Sequence, residues 1–362
     1  YQAGLFYTYE NVTEPQRVSV VNYPSGTPFA PPIPNVLLTA NTAGNYHEYA
    51  GFADATYYFT DALDTTVGGR YSYNRQVAVD TSGGPLGTGN LTSGDSSSDG
   101  SYLFDLRYRP TQQLSAYVRV ASAYRPGGPV TVFAPGLPTR FGPDTDWDYE
   151  AGVKGAWLDR RLNADVAVYY VDWRNIQITT LFNGTKVYTS NGGNAKSEGV
   201  EFDGSYEPVH GLVFGANASF DEAVMTSVLP GVTASTGARV GDPLPYTPKW
   251  SGALTADYSY PLTPDLRGGV GGSWSYKSYL YSSFSADPLN TRVQVPSYGL
   301  FSVRAHMDWN SYSLIFNVNN VANKQTFSNV TYARLMAGLP IAEAFGVPVQ
   351  PRTYRLTANV SF

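Results

Sequence analysis

The sequence predicts an all-β protein, a transmembrane antiparallel β-barrel with fourteen strands visible along the chain. Three observations carry that expectation. Apolar and polar residues alternate with a period of two in segment after segment. The connectors alternate between short turns and long loops rich in Gly, Pro, Ser and Asn. The 362 residues are 14% aromatic but only 15% charged, against roughly 25% charged in an ordinary soluble domain.

Residues 147–157 show the pattern in full. Trp147, Tyr149, Ala151, Val153, Gly155 and Trp157 share one face, and Asp148, Glu150, Gly152, Lys154 and Ala156 share the other. The aromatics stand at the two ends of the apolar face, as girdles at two membrane interfaces would. In chain order, strands are expected near 1–10, 43–60, 65–80, 99–110, 114–125, 147–157, 161–181, 187–207, 211–225, 248–260, 266–282, 296–308, 311–321 and 351–362. Residues 49–59 carry Tyr49, Gly51, Ala53, Ala55, Tyr57 and Phe59 on one face. Residues 102–108 set Tyr102, Phe104, Leu106 and Tyr108 against Asp105 and Arg107. Residues 162–170, 250–260 and 354–362 repeat the scheme, each with a Tyr, Trp or Phe toward an end.

The turns expected at 61–64, 110–113, 159–160, 208–211, 261–265 and 310 are short. The loops near 11–42, 81–98, 126–146, 226–247, 283–295 and 322–350 are long. If the C-terminus is periplasmic, every short turn is periplasmic and every long loop extracellular. A large soluble sandwich or propeller also alternates, but does not usually keep short and long connectors in strict order. In lipid only helices and closed barrels satisfy every backbone group, and no stretch here approaches the ~18 apolar residues of a spanning helix.

Composition excludes several kinds of chemistry. There is no Cys, hence no disulfide framework, thiolate metal site or Cys nucleophile. His47, His210 and His306 are scattered, which disfavours a metal centre or a Ser-His-Asp triad. The expectation is a protein that is not an enzyme and has no resident cofactor. The net charge of −5 argues against nucleic acid as a partner. Tyr1 to Tyr9 already read as mid-strand sequence, so the chain is expected to be one partial barrel domain over 1–362.

Several segments resemble TonB-dependent outer-membrane receptors: WDYEAGVKGAWLDRRLNADVAVYYVDWRNIQI (147–178), NGGNAKSEGVEFDGSYEPVHGL (191–212), PYTPKWSGALTADYSYPL (245–262), FNVNNVANKQ (316–325) and PRTYRLTANVSF (351–362), which ends on Phe362. The resemblance implies a bacterial outer-membrane location among lipid and lipopolysaccharide. It implies energy from TonB through a plug domain, and a barrel of 22 strands around a plugged lumen. No plug or TonB box is read in these residues, so the fourteen strands are expected to correspond to the last fourteen of that barrel. The resemblance also implies uptake of a scarce, bulky nutrient, first among them a ferric siderophore. A non-iron substrate such as an oligosaccharide, a complete fourteen-stranded porin-like channel, and docking of other surface proteins stay open. Haem is disfavoured, because the loop after Tyr124-Arg125-Pro126-Gly127 has no His.

Two sets of residues follow as candidates. Tyr124 together with Arg125, Arg140, Phe141, Asp144 and Trp147 of the loop that follows it, with Phe133 nearby, is expected to hold a ferric chelate by cation–π contact and charge-assisted hydrogen bonds. Tyr279 and Tyr281 form a second candidate, and either set of aromatics is equally suited to the outer girdle. On the inward face Arg70, Arg107, Arg119, Glu150, Lys154, Glu201, Asp203 and Arg304 are expected to contact a plug or line a solute path. The bland alternative is a polar wall of the kind any wide lumen needs.

Overall fold

The computed structural model describes residues 1–19, 25, 27, 35–85, 88–132, 134–182, 186–285, 292–334 and 342–361. Phe133, Phe362 and parts of the expected loops 11–42, 81–98, 283–295 and 322–350 lie outside the described residues.

Fourteen antiparallel strands form one sheet whose order is the chain order. They are β1 (Gln2–Ser19), β2 (Val36–Tyr58), β3 (Leu63–Gly83), β4 (Gly89–Thr111), β5 (Leu114–Arg125), β6 (Asp144–Trp157), β7 (Leu162–Arg174), β8 (Gly193–Val209), β9 (Leu212–Val228), β10 (Trp250–Thr263), β11 (Leu266–Lys277), β12 (Tyr298–Trp309), β13 (Tyr312–Asn319) and β14 (Thr353–Val360). Three of the short turns use left-handed backbone, which matches the twist of the paired strands in a tight hairpin. Leu158, Asp159 and Arg160 supply it between β6 and β7 (φ 55, 54 and 66), and Asn310 between β12 and β13 (φ 50). Gly211 sits at φ 85, where a Cβ would stand 2.2 Å from the Ser259 carbonyl oxygen.

Register carries one polar face across the sheet. Asp105 stands opposite Arg119, Arg119 opposite Glu150, Lys154 opposite Asp165, Asp165 opposite Asp203, and Gly271 between Asp257 and Arg304. The other face is apolar and open: Val153 is 45% and Leu254 52% exposed. A soluble sandwich would bury that face, whereas a barrel in lipid presents it outward. On β6 the aromatics Tyr149 and Trp157 are eight residues apart, as are Tyr49 and Tyr57 on β2. At ~3.3 Å per residue and a tilt of ~40°, eight residues rise roughly 20 Å, close to the height of a hydrocarbon core.

The strands differ from the expectation in length. β1 to β4 run through much of the expected loops 11–42 and 81–98, with Arg17 opposite Thr39 and Thr81 opposite Asn90. Hydropathic alternation marks only the lipid-facing stretch of a strand. Beyond it both faces meet water, and the Thr, Ser and Asn residues there keep the ladder without an apolar rhythm. The expected strands 161–181 and 187–207 are likewise corrected. The wall strand ends at Arg174 and the next begins at Gly193. Between them Gln177–Phe182 and Lys186–Asn191 pair as a separate hairpin. The expected strand 266–282 ends at Lys277 for the same reason, and Leu280–Tyr281 pairs instead with Gln294–Val295.

Because the wall turns small and polar residues inward, the apolar core lies elsewhere. Ile176, Ala195, Met225, Ala238 and Phe284 cluster at the loop-bearing end of β7 to β11, with Trp173, Ile178, Val228 and Leu244 packed against them. The short helix α1 (Pro230–Thr236), begun by Pro and closed by Gly237 at φ 68, lies beside this cluster and touches the 177–182 strand. These connectors therefore form one folded platform instead of independent loops.

Candidate functional site

The segment after β5 folds back over the inner face of β3 and β4. Gln76 Nε2 donates to the Gly127 carbonyl at 2.6 Å, Ser93 Oγ to the Val130 carbonyl at 3.0 Å, and Arg140 lies 3.7 Å from Asp95. Gln76, Ser93 and Asp95 share the face of Arg70, since Gln76 stands opposite Asp95 and Arg70 opposite Ser101. Gly128–Pro129 pairs with Arg140–Phe141 to make a small hairpin there. Glycine is required at the start of it, because a Cβ on Gly127 would come within 2.4 Å of the Phe141 carbonyl oxygen.

Both ends of this segment are tied down. Asp144, 2% exposed, accepts from Arg125 Nη2 and, at 3.2 Å, from Arg125 Nε. It also accepts from the Gln177 backbone N–H at 3.1 Å. Gln177 Nε2 donates to the Pro126 and Gly142 carbonyls at 2.9 and 3.2 Å. Asn191 grips Gly142 from both sides, accepting its N–H at 2.7 Å and donating to its carbonyl at 3.0 Å. A bidentate contact to a buried carboxylate with a third donor holds more firmly than a single exposed ion pair, although the Arg125 side chain itself is 53% exposed. The 126–143 segment is thus locked between β3–β4 on one side and the 177–191 hairpin on the other.

The expected loop residues divide into three groups. Arg125, Arg140, Phe141 and Asp144 come together at this mouth, but both arginines already face carboxylates. Tyr124 and Trp147 follow the outward alternation of β5 and β6, and Trp147 stacks with Tyr102, centroids 6.2 Å apart. Tyr279 and Tyr281 sit on another connector, edge to face at 5.7 Å, with the Arg292 guanidinium 3.6 Å above the Tyr281 ring. Sequence reasoning missed Gln76, Gln177, Asn191 and Arg292. Isolated amides and arginines in loops carry no periodic signal, although Gln76 shares its strand parity with Arg70.

The inward candidates all lie on one face. Arg70 pairs with Glu48 at 2.7 Å and donates to Ser72 at 3.0 Å. Arg107 reaches Asp64 at 3.0 Å, and Arg109 binds the same carboxylate. Lys154 pairs with Asp165 at 2.7 Å and lies 5.4 Å from the Tyr117 ring, whose hydroxyl donates to Glu150. Arg304 binds Asp257 at 2.7 Å. Arg119 lies in register between Asp105 and Glu150. Glu201 and Asp203 have no cationic partner within ion-pair distance among the described residues.

The charges on this wall are segregated. On β6 to β9 Asp146, Asp148, Glu150, Asp165, Glu201, Asp203 and Asp221 share the inner face with Lys154. On β11 to β14 Arg267, Lys277, Arg304 and Arg355 share it with Asp308. Such separation gives an occupant of the lumen a preferred orientation. In the connector before β10, Lys249 donates to Glu222 at 2.6 Å, and that hydrogen bond raises its ammonium above the usual lysine range. Among the described residues no three His, Asp or Glu side chains gather as a metal site.

Residues 1–321 match the family described as "TonB dependent receptor-like, beta-barrel". An uncharacterized TonB-dependent receptor of Haemophilus influenzae is 30% identical over 168 residues, 46% of this chain and 46% of that protein. The probable TonB-dependent siderophore receptor PiuA of Acinetobacter baumannii is 24% identical over 238 residues, 63% of this chain and 30% of that one. Among solved structures, the ferric yersiniabactin uptake receptor FyuA of Yersinia pestis superposes with a TM-score of 0.78 at 16% identity. The ferric-catecholate import receptor Fiu of E. coli does so with a TM-score of 0.73 at 21% identity. Each structure covers 99% of this chain, which in turn covers 51% of each; the chain spans about half the length of these receptors. The family match, the fourteen-stranded antiparallel wall and its apolar outer face with aromatic ends agree, and the chain belongs to the TonB-dependent receptor β-barrel family of the bacterial outer membrane.

Proposed function

We propose that the protein takes up a bulky metal chelate, first a ferric siderophore, across the outer membrane with energy from TonB. The long loops face the exterior and the C-terminus the periplasm. The observation that carries this reading is the 126–143 segment, folded inward and locked by Asp144, Gln177 and Asn191. Such a ledge narrows the entrance and presents a pre-formed surface, which lowers the ordering cost of binding. The relatives named as siderophore and ferric-chelate receptors support the same substrate class.

In this reading Arg140, Phe141, Tyr279 and Tyr281 contact the ligand. Arg125 and Asp144 position the ledge, and Tyr124 and Trp147 belong to the outward belt. Arg70, Arg107, Arg119, Glu150, Lys154, Glu201, Asp203 and Arg304 hydrogen-bond a plug domain of the full-length receptor, through which TonB acts. The acidic wall of β6 to β9 faces the plug's basic side.

Calorimetry on the full-length receptor tests the substrate class. Tight binding of a ferric chelate is expected; binding of an oligosaccharide and of no chelate would overturn it. Steady conductance in planar bilayers would instead indicate an open porin-like channel. Asp144→Asn keeps the side-chain shape but removes the charge that holds Arg125. It is expected to weaken chelate affinity about tenfold through loss of pre-organisation. The heat-modifiable migration of the folded barrel on gels should not change.

A further inference from the structure

Beyond the membrane the two faces of β1 to β4 carry opposite charge. The inward face there holds Glu10, Glu14, Glu48, Asp80 and Asp95. The outward face of the same stretch alternates with it and holds no carboxylate; its basic groups are Arg17, Arg75 and His47. Other wall arginines also lack an ion-pair partner among the described residues, but Arg119, Arg267 and Arg355 point inward. The outward side of β7 to β9 is different. Just above its girdle Arg174 pairs with Asp172 at 2.7 Å, Lys196 with Glu198 at 2.6 Å and Lys249 with Glu222 at 2.6 Å, so cations and carboxylates cancel.

Height separates the two outward arginines. Tyr7, Tyr49 and Tyr73 form one exposed cross-strand row of the girdle. His47 and Arg75 stand opposite each other two residues further along their strands. At ~3.3 Å per residue and a tilt of ~40° that is roughly 5 Å above the row. The polar headgroup layer beyond the hydrocarbon is about as deep, roughly 5–7 Å on each side. Arg17 stands ten residues beyond Tyr7 and lies far above that layer. Arg75 is exposed, with His47 on one side and Ser96 on the other in register, where Cβ atoms are about 5 Å apart. Tyr7 Oη lies 3.2 Å from His47 Nδ1, and the Tyr9 ring packs 4.8 Å from the imidazole. The ring is held at Nδ1, and Nε2 has no partner among the described residues.

We propose that Arg75, flanked by His47 and Ser96, binds a phosphate of lipid A, the phosphorylated glycolipid of the outer leaflet. The guanidinium fork matches two phosphate oxygens, and the Ser96 hydroxyl and the imidazole add donors on either side. A face without carboxylates does not repel a doubly phosphorylated sugar, whereas on β7 to β9 every cation is already engaged. The height of the site selects the lipid over a free anion. With its phosphate at Arg75, the acyl chains run down the outward wall past the exposed Leu5, Tyr71 and Val67. The inference rests on the long loops facing the exterior, as in the uptake reading.

The test gives the full-length receptor in detergent equal amounts of bisphosphorylated lipid A and the same lipid stripped of phosphate, and reads retained lipid by native mass spectrometry. Wild type is expected to keep the phosphorylated form at least about fivefold over the other. Arg75→Gln with His47→Gln should abolish that preference. Arg174→Gln, which removes an outward cation that is already paired, should leave it unchanged. Heat-modifiable migration reports that each variant is folded. Equal retention of both forms by wild type, or an unchanged preference in the double variant, overturns the proposal. So does a matching loss in Arg174→Gln, because any outward cation would then serve. Two competitors test the source of the phosphate. Phosphatidylglycerol retained as well as lipid A, or lipid A displaced by excess inorganic phosphate, would overturn lipid A as the occupant. Chelate binding measured on the same samples separates this proposal from the uptake reading, since either can fail while the other stands.

Discussion

Val153→Arg is expected to destabilise the folded barrel by about 2–4 kcal/mol, the depth-dependent cost of a charged side chain on the lipid face at the midplane. Val153 lies halfway between Tyr149 and Trp157 on β6 and is 45% exposed on the outward face. An arginine there has no water and no partner, and the long side chain must reach a girdle to be solvated. The neighbouring position is the control. Lys154 points to the opposite face, pairs with Asp165 at 2.7 Å, and is 58% exposed. Lys154→Gln removes a solvated ion pair worth no more than about 1 kcal/mol. Urea unfolding in lipid vesicles measures both. Equal costs at 153 and 154 would mean that β6 does not divide lipid from lumen.

Asp64→Ala should destabilise by about 1.5–3 kcal/mol, the usual worth of hydrogen bonds to a charged group, because the two arginines it leaves are 40% and 33% exposed and stay solvated. The Asp64 side chain is wholly buried and bound by both Arg107 and Arg109. Its loss leaves two guanidiniums side by side with no anion between them. Removing one arginine as well relieves that repulsion, so Asp64→Ala with Arg109→Gln should be less destabilised than the sum of the two single changes. Additive costs would show that the three residues do not act as one network. The triad ties the start of β3 to the end of β4 beside two adjacent short turns, where the wall has no folded loops to brace it.

Asp64 also shows where sequence reading stops. Residues 61–64 read as a turn, yet Leu63 and Asp64 already belong to β3. A boundary shift of two residues moved the most buried carboxylate out of the inward set. Glu48 was passed over although it lies inside the expected strand 43–60, shares strand parity with Phe52 and pairs with Arg70. The inward residues that were legible, Lys154, Glu150, Arg304 and their neighbours, sit mid-strand, where a polar residue between apolar ones has only one face to occupy. The mouth was half legible. The loop after Tyr124 held Arg125, Arg140, Phe141 and Asp144, but the partners that lock it come from positions 76, 95, 177 and 191. Tyr124 and Trp147, read from the sequence as ligand or belt residues, take the outward parity of their strands in the register of β5 and β6.

Strand count, the alternation of short and long connectors, and the division into lipid-facing and inward residues were all legible in the amino-acid order. Those properties follow from a period of two and from the breakers between segments, and both are local. How far the hairpins rise beyond the membrane, where the apolar core lies and which carboxylate each arginine meets were settled by the folded structure alone. Each of these depends on register between segments far apart in sequence. Register is set by hydrogen bonding across strands, which leaves no mark in the composition of either one.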